Sequence, residues 1–504
     1  MTVKVGGLSP EARAAIAERA RKQREASGIS DDELEQEIIA RQGQVIFPDG
    51  RAIGVHYAET DGKKSWLPLE GDYDVENMNA RYAVVKMGSG VSILMEEGGT
   101  VSFLRKDAFE TLFQNRFTKV VNADGEEKNV TWARAWLNDW DRRQYAGIEF
   151  FPDVANAPGK PGHYNLWRGF SALPERGGKY TIFRDHMLTN VCGGDEGLYR
   201  WLFAWFAQMV QKPREKPGTA VVLRGGMGVG KSKIGEVIGS LLGEHYFQVD
   251  DPRYITGNFN AHMGACLLLQ AEEAVWAGDK NAEGRLKGLI TSKTHMIEAK
   301  GVDPVQLPNF IRLLMTSNEA WVIPAGKDER RFAVFDVQPN CANDHNYFRQ
   351  MDEELDAGGR AALLYDLLRL DLSSVNLRQI PKTDALLSQK IQSLDHIETW
   401  LLDRLQAGTP TEKHDCWPEY VQKAQVFRDY LDAAERVGVR RKAGATQFHM
   451  RLKKIMPNFI DMRKRVSDEG EVSGPPVRIY LLPSLADCRA EMETAMGQPI
   501  AWGE

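Results

Sequence analysis

The octet Gly225-Gly226-Met227-Gly228-Val229-Gly230-Lys231-Ser232 constrains this chain more than any other stretch. Four glycines let consecutive backbone N–H groups turn toward one anion, the lysine reaches the outer phosphates of a triphosphate, and the serine offers a hydroxyl to a divalent cation. An apolar strand-like run, Ala220 to Leu223, precedes the octet, and a helical pattern, Lys233 to Leu242, follows it. Strand, glycine loop and helix in that order predict an α/β core that binds ATP with Mg²⁺, all eight residues forming the nucleotide contact.

Two later strand ends supply matching chemistry. Ala265 to Leu269 is an apolar run that ends in Gln270-Ala271-Glu272-Glu273. A buried parallel strand delivers carboxylates to a site edge in this way. Glu272 is expected to hold Mg²⁺ together with Ser232, and Glu273 to orient and deprotonate the attacking water. Ile311 to Met315 ends in Thr316-Ser317-Asn318, whose amide can sense the γ-phosphate. Glu329-Arg330-Arg331-Phe332 follows, and a planar guanidinium there can stabilise charge on a transferred phosphoryl group in a neighbouring subunit. Lys231, Glu273, Asn318 and Arg331 are therefore the catalytic candidates, with Arg330 as the alternative arginine.

The order of these motifs, all between residues 225 and 331, resembles the superfamily 3 helicases, ring-forming AAA+ ATPases of small viruses, phages and plasmids. Gly257-Asn258-Phe259-Asn260, Gly358-Gly359, Pro381, Gln389-Lys390 and Ser393-Leu394-Asp395 make the chain look most like the phage and prophage primase-helicase proteins. The resemblance implies a homo-hexameric ring that unwinds single-stranded or forked DNA during replication of a phage or mobile element. A primase, polymerase or other replisome partner is implied with it. It also implies a channel hairpin within Leu286 to Asn309, its turn at Lys300-Gly301-Val302-Asp303, with Lys293, His295 and Lys300 as phosphate contacts. Rival readings are an ATP-controlled assembly switch and an origin-binding initiator without strand separation.

The net charge of −6 means that a nucleic-acid surface must be a local patch. One exists: Arg436 to Arg465 holds ten Lys or Arg and a single acid, Asp461. A helix at Val426 to Arg436, a turn at Gly438, a helix at Thr446 to Ile455 and strands near Ile460 and Arg478 fit a winged helix. Arg451, Lys453, Lys454, Arg463, Lys464 and Arg465 are its candidate DNA contacts, and Gln447 or His449 could reach base edges.

The rest bounds the context. We expect an amino-terminal helical appendage at 1–43, in which Ser9-Pro10 opens a basic helix and Ser30 with Glu33 caps another. A small β-rich module at 44–105 and a helical, aromatic-rich region at 106–211 follow, then the P-loop ATPase domain at 218–394 and the winged-helix-like domain at 395–504. Lys212 to Thr219, rich in proline and charge, reads as a domain boundary. Trp132, Trp136 and Trp140, at i, i+4 and i+8, read as core packing, and Asp72 and Asp74 as loop acids rather than a polymerase site. The five cysteines lack zinc-site spacing and indicate a reducing compartment. The apolar helix Leu198 to Val210 is too short to span a bilayer. A cytoplasmic location and no membrane partner are expected.

Overall fold

The computed structural model describes residues 72–97, 100–121, 127–251, 253–257, 260–273, 280–298, 304–465 and 475–503, and the backbone of four short strands between 44 and 66. The expected helices at 10–24 and after Ser30, and the expected turn at 300–303, lie outside the described residues. The chain divides into two compact units. The first comprises Met1–Ala274, Lys280–Glu319 and Asp336–Gln379, and the second comprises Val275–Asp279, Ala320–Phe335 and Ile380–Glu504.

Within the β-rich module Asp74 accepts from the amides of Glu76 and Asn77 and so caps the helix Val75–Arg81. That capping duty accounts for the acid. Strands Tyr82–Met87, Gly90–Glu97 and Thr100–Leu104 form an antiparallel meander, with Gln144–Tyr145 added in parallel along the first. Its apolar face packs Met78, Tyr82, Ile93, Phe109, Phe113, Trp132 and Trp136. Trp140 departs from the expected stripe and is fully exposed, because the helix carrying the other two tryptophans spans only Trp132–Leu137. A buried polar cluster ties the module to the following segment: Glu96 pairs with Arg143 at 2.6 Å and with Arg168 at 3.1 Å. Burial pushes the Glu96 carboxyl up, but the two guanidinium groups outweigh it and hold the group below its ordinary value.

Helix α1 (Glu196–Gln211) is started by Asp195, and every residue from Trp201 to Val210 is buried. Among the described residues no helix is long and apolar enough to cross a membrane. The expected boundary at Lys212 to Thr219 is not one in space, since both sides belong to the first unit. The reason is Arg312, fully buried, whose guanidinium donates to the carbonyls of Phe310 (2.7 Å), Lys212 (2.9 Å), Pro213 and Glu215 and to Gln208 Oε1. The Glu215 amide also donates to the Lys212 carbonyl at 2.9 Å, so the segment is held by a turn of its own and by Arg312.

Four strands of the first unit run parallel: β1 (Ala220–Arg224), β2 (Tyr246–Val249), β3 (Leu268–Glu272) and β4 (Arg312–Ser317), side by side in the order β2-β3-β4-β1. β1, β3 and β4 are apolar runs rather than alternating patterns because both faces are covered. Helix α2 (Lys231–Leu242) lies against them. Their parallel direction brings three strand ends, at Gly225, Glu273 and Asn318, to one edge.

His245 couples the aromatic segment to this sheet. It accepts from the Arg168 amide at Nε2 (3.0 Å), faces the Ala265 carbonyl with Nδ1 (2.8 Å) and stacks on Trp167 with ring centres 4.4 Å apart. Burial pulls its imidazole down to about 4, and does the same to His295 and His449. Unfolding returns each to roughly 6.5. Between those values the unfolded chain binds more protons, so the stability held above pH 6.5 is lost as pH falls toward 4. Thermal melts from pH 7.5 to 4.5 should show a steady fall in the unfolding midpoint, with a shallower slope for His245→Gln. A midpoint insensitive to pH across that range would refute this assignment.

Candidate nucleotide site

The loop after β1 has the backbone its glycines permit. Gly228 and Gly230 lie at φ +71° and +87°, and a Cβ at Gly230 would sit 2.7 Å from His186 and Phe348. No side chain caps α2 at Gly230, so the amides of its first turn are left for an anion. Met227 is exposed at the loop tip and Val229 is buried beneath it.

Lys231 is buried, and its Nζ donates to the carbonyls of Gly225 (3.0 Å) and Gly226 (2.7 Å) and to Asn318 Oδ1 (2.6 Å). Asn318 Nδ2 donates to Glu273 Oε1 at 2.6 Å. A continuous chain thus runs from ammonium through amide to carboxylate. Burial lowers the Lys231 ammonium from its ordinary value, opposed by Glu273 and then Glu272. Alongside, Ser232 Oγ donates to Glu272 Oε2 at 2.8 Å. Glu273 is one of the described non-glycine residues in the left-handed region, at φ +50°, held there as its amide donates to Thr316 O at 3.0 Å. This turn at the end of β3 sends two consecutive acids to different partners, Glu272 to Ser232 and Glu273 to Asn318.

Further residues position these groups. Gln270 accepts from Tyr246 Oη (2.8 Å) and donates to Ser232 O (3.2 Å) and to Glu272. A Cβ at Gly235 would strike Gln270, so α2 approaches β3 closely only with glycine there. A polar residue in an apolar run was the signal for Gln270. No local signal marked His186, which faces Gly230 O at 3.2 Å from a π-helical turn, His186–Val191, or Asn343, whose amide donates to Gly228 O at 3.1 Å.

Arg330 and Arg331 belong to the second unit. Buried Glu329 accepts from both backbone amides, at 2.9 and 2.6 Å; Arg330 is exposed, and Arg331 is half-buried with its Nε unpartnered. In the first unit Thr294–Ile297 and Val305–Pro308 pair antiparallel, with Lys293 exposed at their base. Lys300 lies outside the described residues. His295 is no surface phosphate contact, since both its ring nitrogens are buried without a partner.

In the second unit helix α3 (His396–Ala407), strand Tyr420–Gln422, helices α4 (Lys423–Arg436) and α5 (Ala445–Ile455), and strands Ile460–Lys464 and Val477–Leu481 follow in order. The last strand is central in the three-stranded antiparallel sheet. α5 buries Phe448, Leu452 and Ile455 and exposes Gln447, Lys453 and Lys454. Arg463, Lys464 and Arg465 are also exposed, and Lys464 lies over the Tyr420 ring at 4.1 Å. Two expectations change. Arg451 pairs with Asp395 (3.0 Å) and Glu398 (2.8 Å), the capping box of α3, instead of facing outward. His449 is turned inward, its Nδ1 hydrogen-bonded with Tyr480 Oη at 3.0 Å. The helical period places Arg451 one turn from Phe448 and Ile455, on the α3 side.

Comparison with known proteins adds the following. Residues 223–331 match a family of unknown function, DUF5906, a span that runs from the end of β1 through Arg331. The chain is 24% identical over 232 residues to a DNA primase-polymerase of Nitratiruptor phage NrS-1, a match covering 43% of this chain and 32% of that relative. The apo structure of the NrS-1 C-terminal region (305–718) superposes with a TM-score of 0.58 at 14% identity, covering 81% of this chain and 98% of that one. A second apo structure of that region, its A form, gives 0.53 at 15% identity, covering 78% and 94%. The chain shares a mixed α/β fold with that region.

The placement of the basic residues separates two effects. Arg451→Ala should lower the thermal midpoint, by removing the ion pair on α3, while Lys453→Ala with Lys454→Ala should leave the midpoint within error and lower affinity for single-stranded DNA. Each lysine taken off a DNA phosphate should reduce the slope of log affinity against log salt by about 1. The reverse pattern would remove α5 as a DNA face.

Proposed function

We propose that this chain is an ATP-driven DNA translocase of the superfamily 3 AAA+ type, acting as a hexameric ring in DNA replication of a phage or related element. The carrying observation is the hydrogen-bonded chain Lys231–Asn318–Glu273 beside the Ser232–Glu272 pair, assembled from three parallel strand ends. Similarity to a phage DNA primase-polymerase supports the replication setting.

Hard oxygen ligands suit Mg²⁺, and the Ser232 hydroxyl and Glu272 carboxylate, 2.8 Å apart, form such a pair. Bound there, Mg²⁺ would neutralise charge on the β- and γ-phosphates. Lys231 exchanges loop carbonyls for phosphate oxygens, which repairs the burial that depresses its ammonium. Freed by that move, Asn318 holds Glu273 in place to take the proton of the attacking water. Arg331 from a neighbouring copy then stabilises the transferred phosphoryl group. Movement follows as subunit packing changes, with Lys293 and Lys300 on the channel hairpin gripping phosphates.

The second unit has the element order of a winged helix, and exposed Gln447 on α5, beside Lys453 and Lys454, favours a second reading as an origin-binding initiator. In either role Lys453, Lys454, Arg463, Lys464 and Arg465 meet DNA backbone. We assign no primer synthesis to the described residues, where Asp74 serves as a helix cap.

Lys231→Ala and Glu273→Gln should each reduce DNA-stimulated ATP turnover by about 100-fold or more. Arg331→Ala should match them. Mixing Lys231→Ala with Arg331→Ala protein should restore part of the turnover, because some interfaces then pair an intact lysine site with an intact arginine. No restoration, or turnover indifferent to DNA, would overturn the ring motor. Duplex separation on a fork distinguishes it from the initiator, which instead protects one defined site.

A further inference from the structure

A cavity of about 860 Å³ opens at the amino-terminal ends of β1 and β4, the edge opposite the glycine loop. Lys216 and Gly218 just ahead of β1, Asn309 and Phe310 just ahead of β4, and Lys293 at the hairpin base are among its lining residues. β1 and β4 are five and six residues long. At about 3.3 Å per residue the cavity lies on the order of 15–20 Å from the loop.

Its charge is one-sided. Lys212, Arg214, Lys216, Lys293 and Arg378 line it, against Glu215 alone. Arg214 is taken by Asp153 at 2.9 Å, and Lys212 lies 3.8 Å from Glu215. Lys216, Lys293 and Arg378 have no carboxylate partner among the described residues. Lys216 Nζ donates to the carbonyl of Leu289 at 2.8 Å, and behind it the buried Arg312 is satisfied by carbonyls and one amide, with its Nε unpartnered. Neither of these two adjacent cations has a carboxylate in direct contact, and Glu215 acts on Arg312 only at longer range. Burial, with the charge of Arg312 beside it, pulls the Lys216 ammonium down to about 7. Phe310, Leu372, Val375 and Leu377 supply an apolar stretch of wall, beside polar Thr291, Ser292, Asn309 and Asn376.

We propose that this cavity is a second phosphate site that takes a nucleotide, its phosphate held by Lys216, Lys293 and Arg378 and its base or sugar against the apolar wall. The volume falls within the range of small-ligand pockets, and a bare phosphate would leave that wall unused. The nucleotide is either free or one unit of a single strand. Because the cavity shares β1 and β4 with the catalytic edge, its occupant bears on the strands that end in the glycine loop and Asn318. The proposal does not rest on hydrolysis at the loop.

The test uses the full chain carrying Lys231→Ala, which weakens the loop site, and titrates a fluorescein-labelled oligothymidylate and a fluorescent adenosine diphosphate separately by anisotropy. Arg378→Glu reverses an exposed charge and should keep the thermal midpoint; Lys216→Met removes the sunken one. A tenfold or greater fall in oligothymidylate affinity alone places the cavity on the path of a strand. The same fall for the diphosphate alone makes it a separate nucleotide site, and a fall for both shows that the two compete for it. If Arg378→Glu keeps its midpoint and binds both probes like the parent, the proposal is wrong. Failure of ATP turnover in the otherwise native chain would sink the motor reading and leave this result standing.

Discussion

The glycine-loop edge of the sheet depends on one buried ammonium. Lys231 is buried, and its three donors find two loop carbonyls and the Asn318 amide oxygen. That arrangement holds the loop in shape, orients Asn318 and through it holds Glu273. It is also a loaded state: each of those acceptors is weaker than a phosphate oxygen, so an anion has a stronger claim on the lysine than its present partners. Nearby, Tyr246, Gln270 and Glu272 form a second hydrogen-bonded line that ends on Ser232. The two lines stand side by side because β3 and β4 are neighbours in register, with Glu272 opposite Thr316.

A comparable constraint operates at the other end of the sheet. Arg312 adds donors to the Lys212–Glu215 segment, whose Lys212 and Glu215 carbonyls also accept from the Glu215 amide and from Gln208. The arrangement leaves positive charge in the interior beside Lys216 with no carboxylate in direct contact, Glu215 acting on Arg312 only at longer range. Removing one member of a buried charge arrangement is costly, and so is leaving it uncompensated. An anion in the adjoining cavity would supply that compensation, which links a packing solution in the fold to a binding property.

Legibility from sequence followed the locality of the signal. The glycine octet, the β3 and β4 runs, α1, and the helix pair α4 and α5 are all periodic or motif patterns within a short window, and each was readable. Glu272, Glu273 and Asn318 were identifiable as strand-end residues. Their mutual contacts were not, because strand order is a long-range property. Trp140 was misplaced because nothing in the sequence marked Leu137 as the last helical residue. Arg451 resembled its basic neighbours until α3 supplied Asp395 and Glu398. The Lys212–Thr219 joint looked like a linker because proline and charge are compositional signals, whereas the residue that buries it, Arg312, lies far along the chain.

Local chemistry therefore marked the candidates for a phosphate site: glycines that allow positive φ, a lysine and serine at the start of a helix, acids and an amide at strand ends. Tertiary structure alone decided which of those groups touch, that His186 and Asn343 brace the glycine loop, and that Lys216 and Arg312 lie side by side without a carboxylate in direct contact. The reason is physical. Backbone preference and apolar periodicity act over a few residues, whereas hydrogen-bond satisfaction and charge compensation are decided between groups roughly a hundred positions apart, by whichever partners packing brings within about 3 Å.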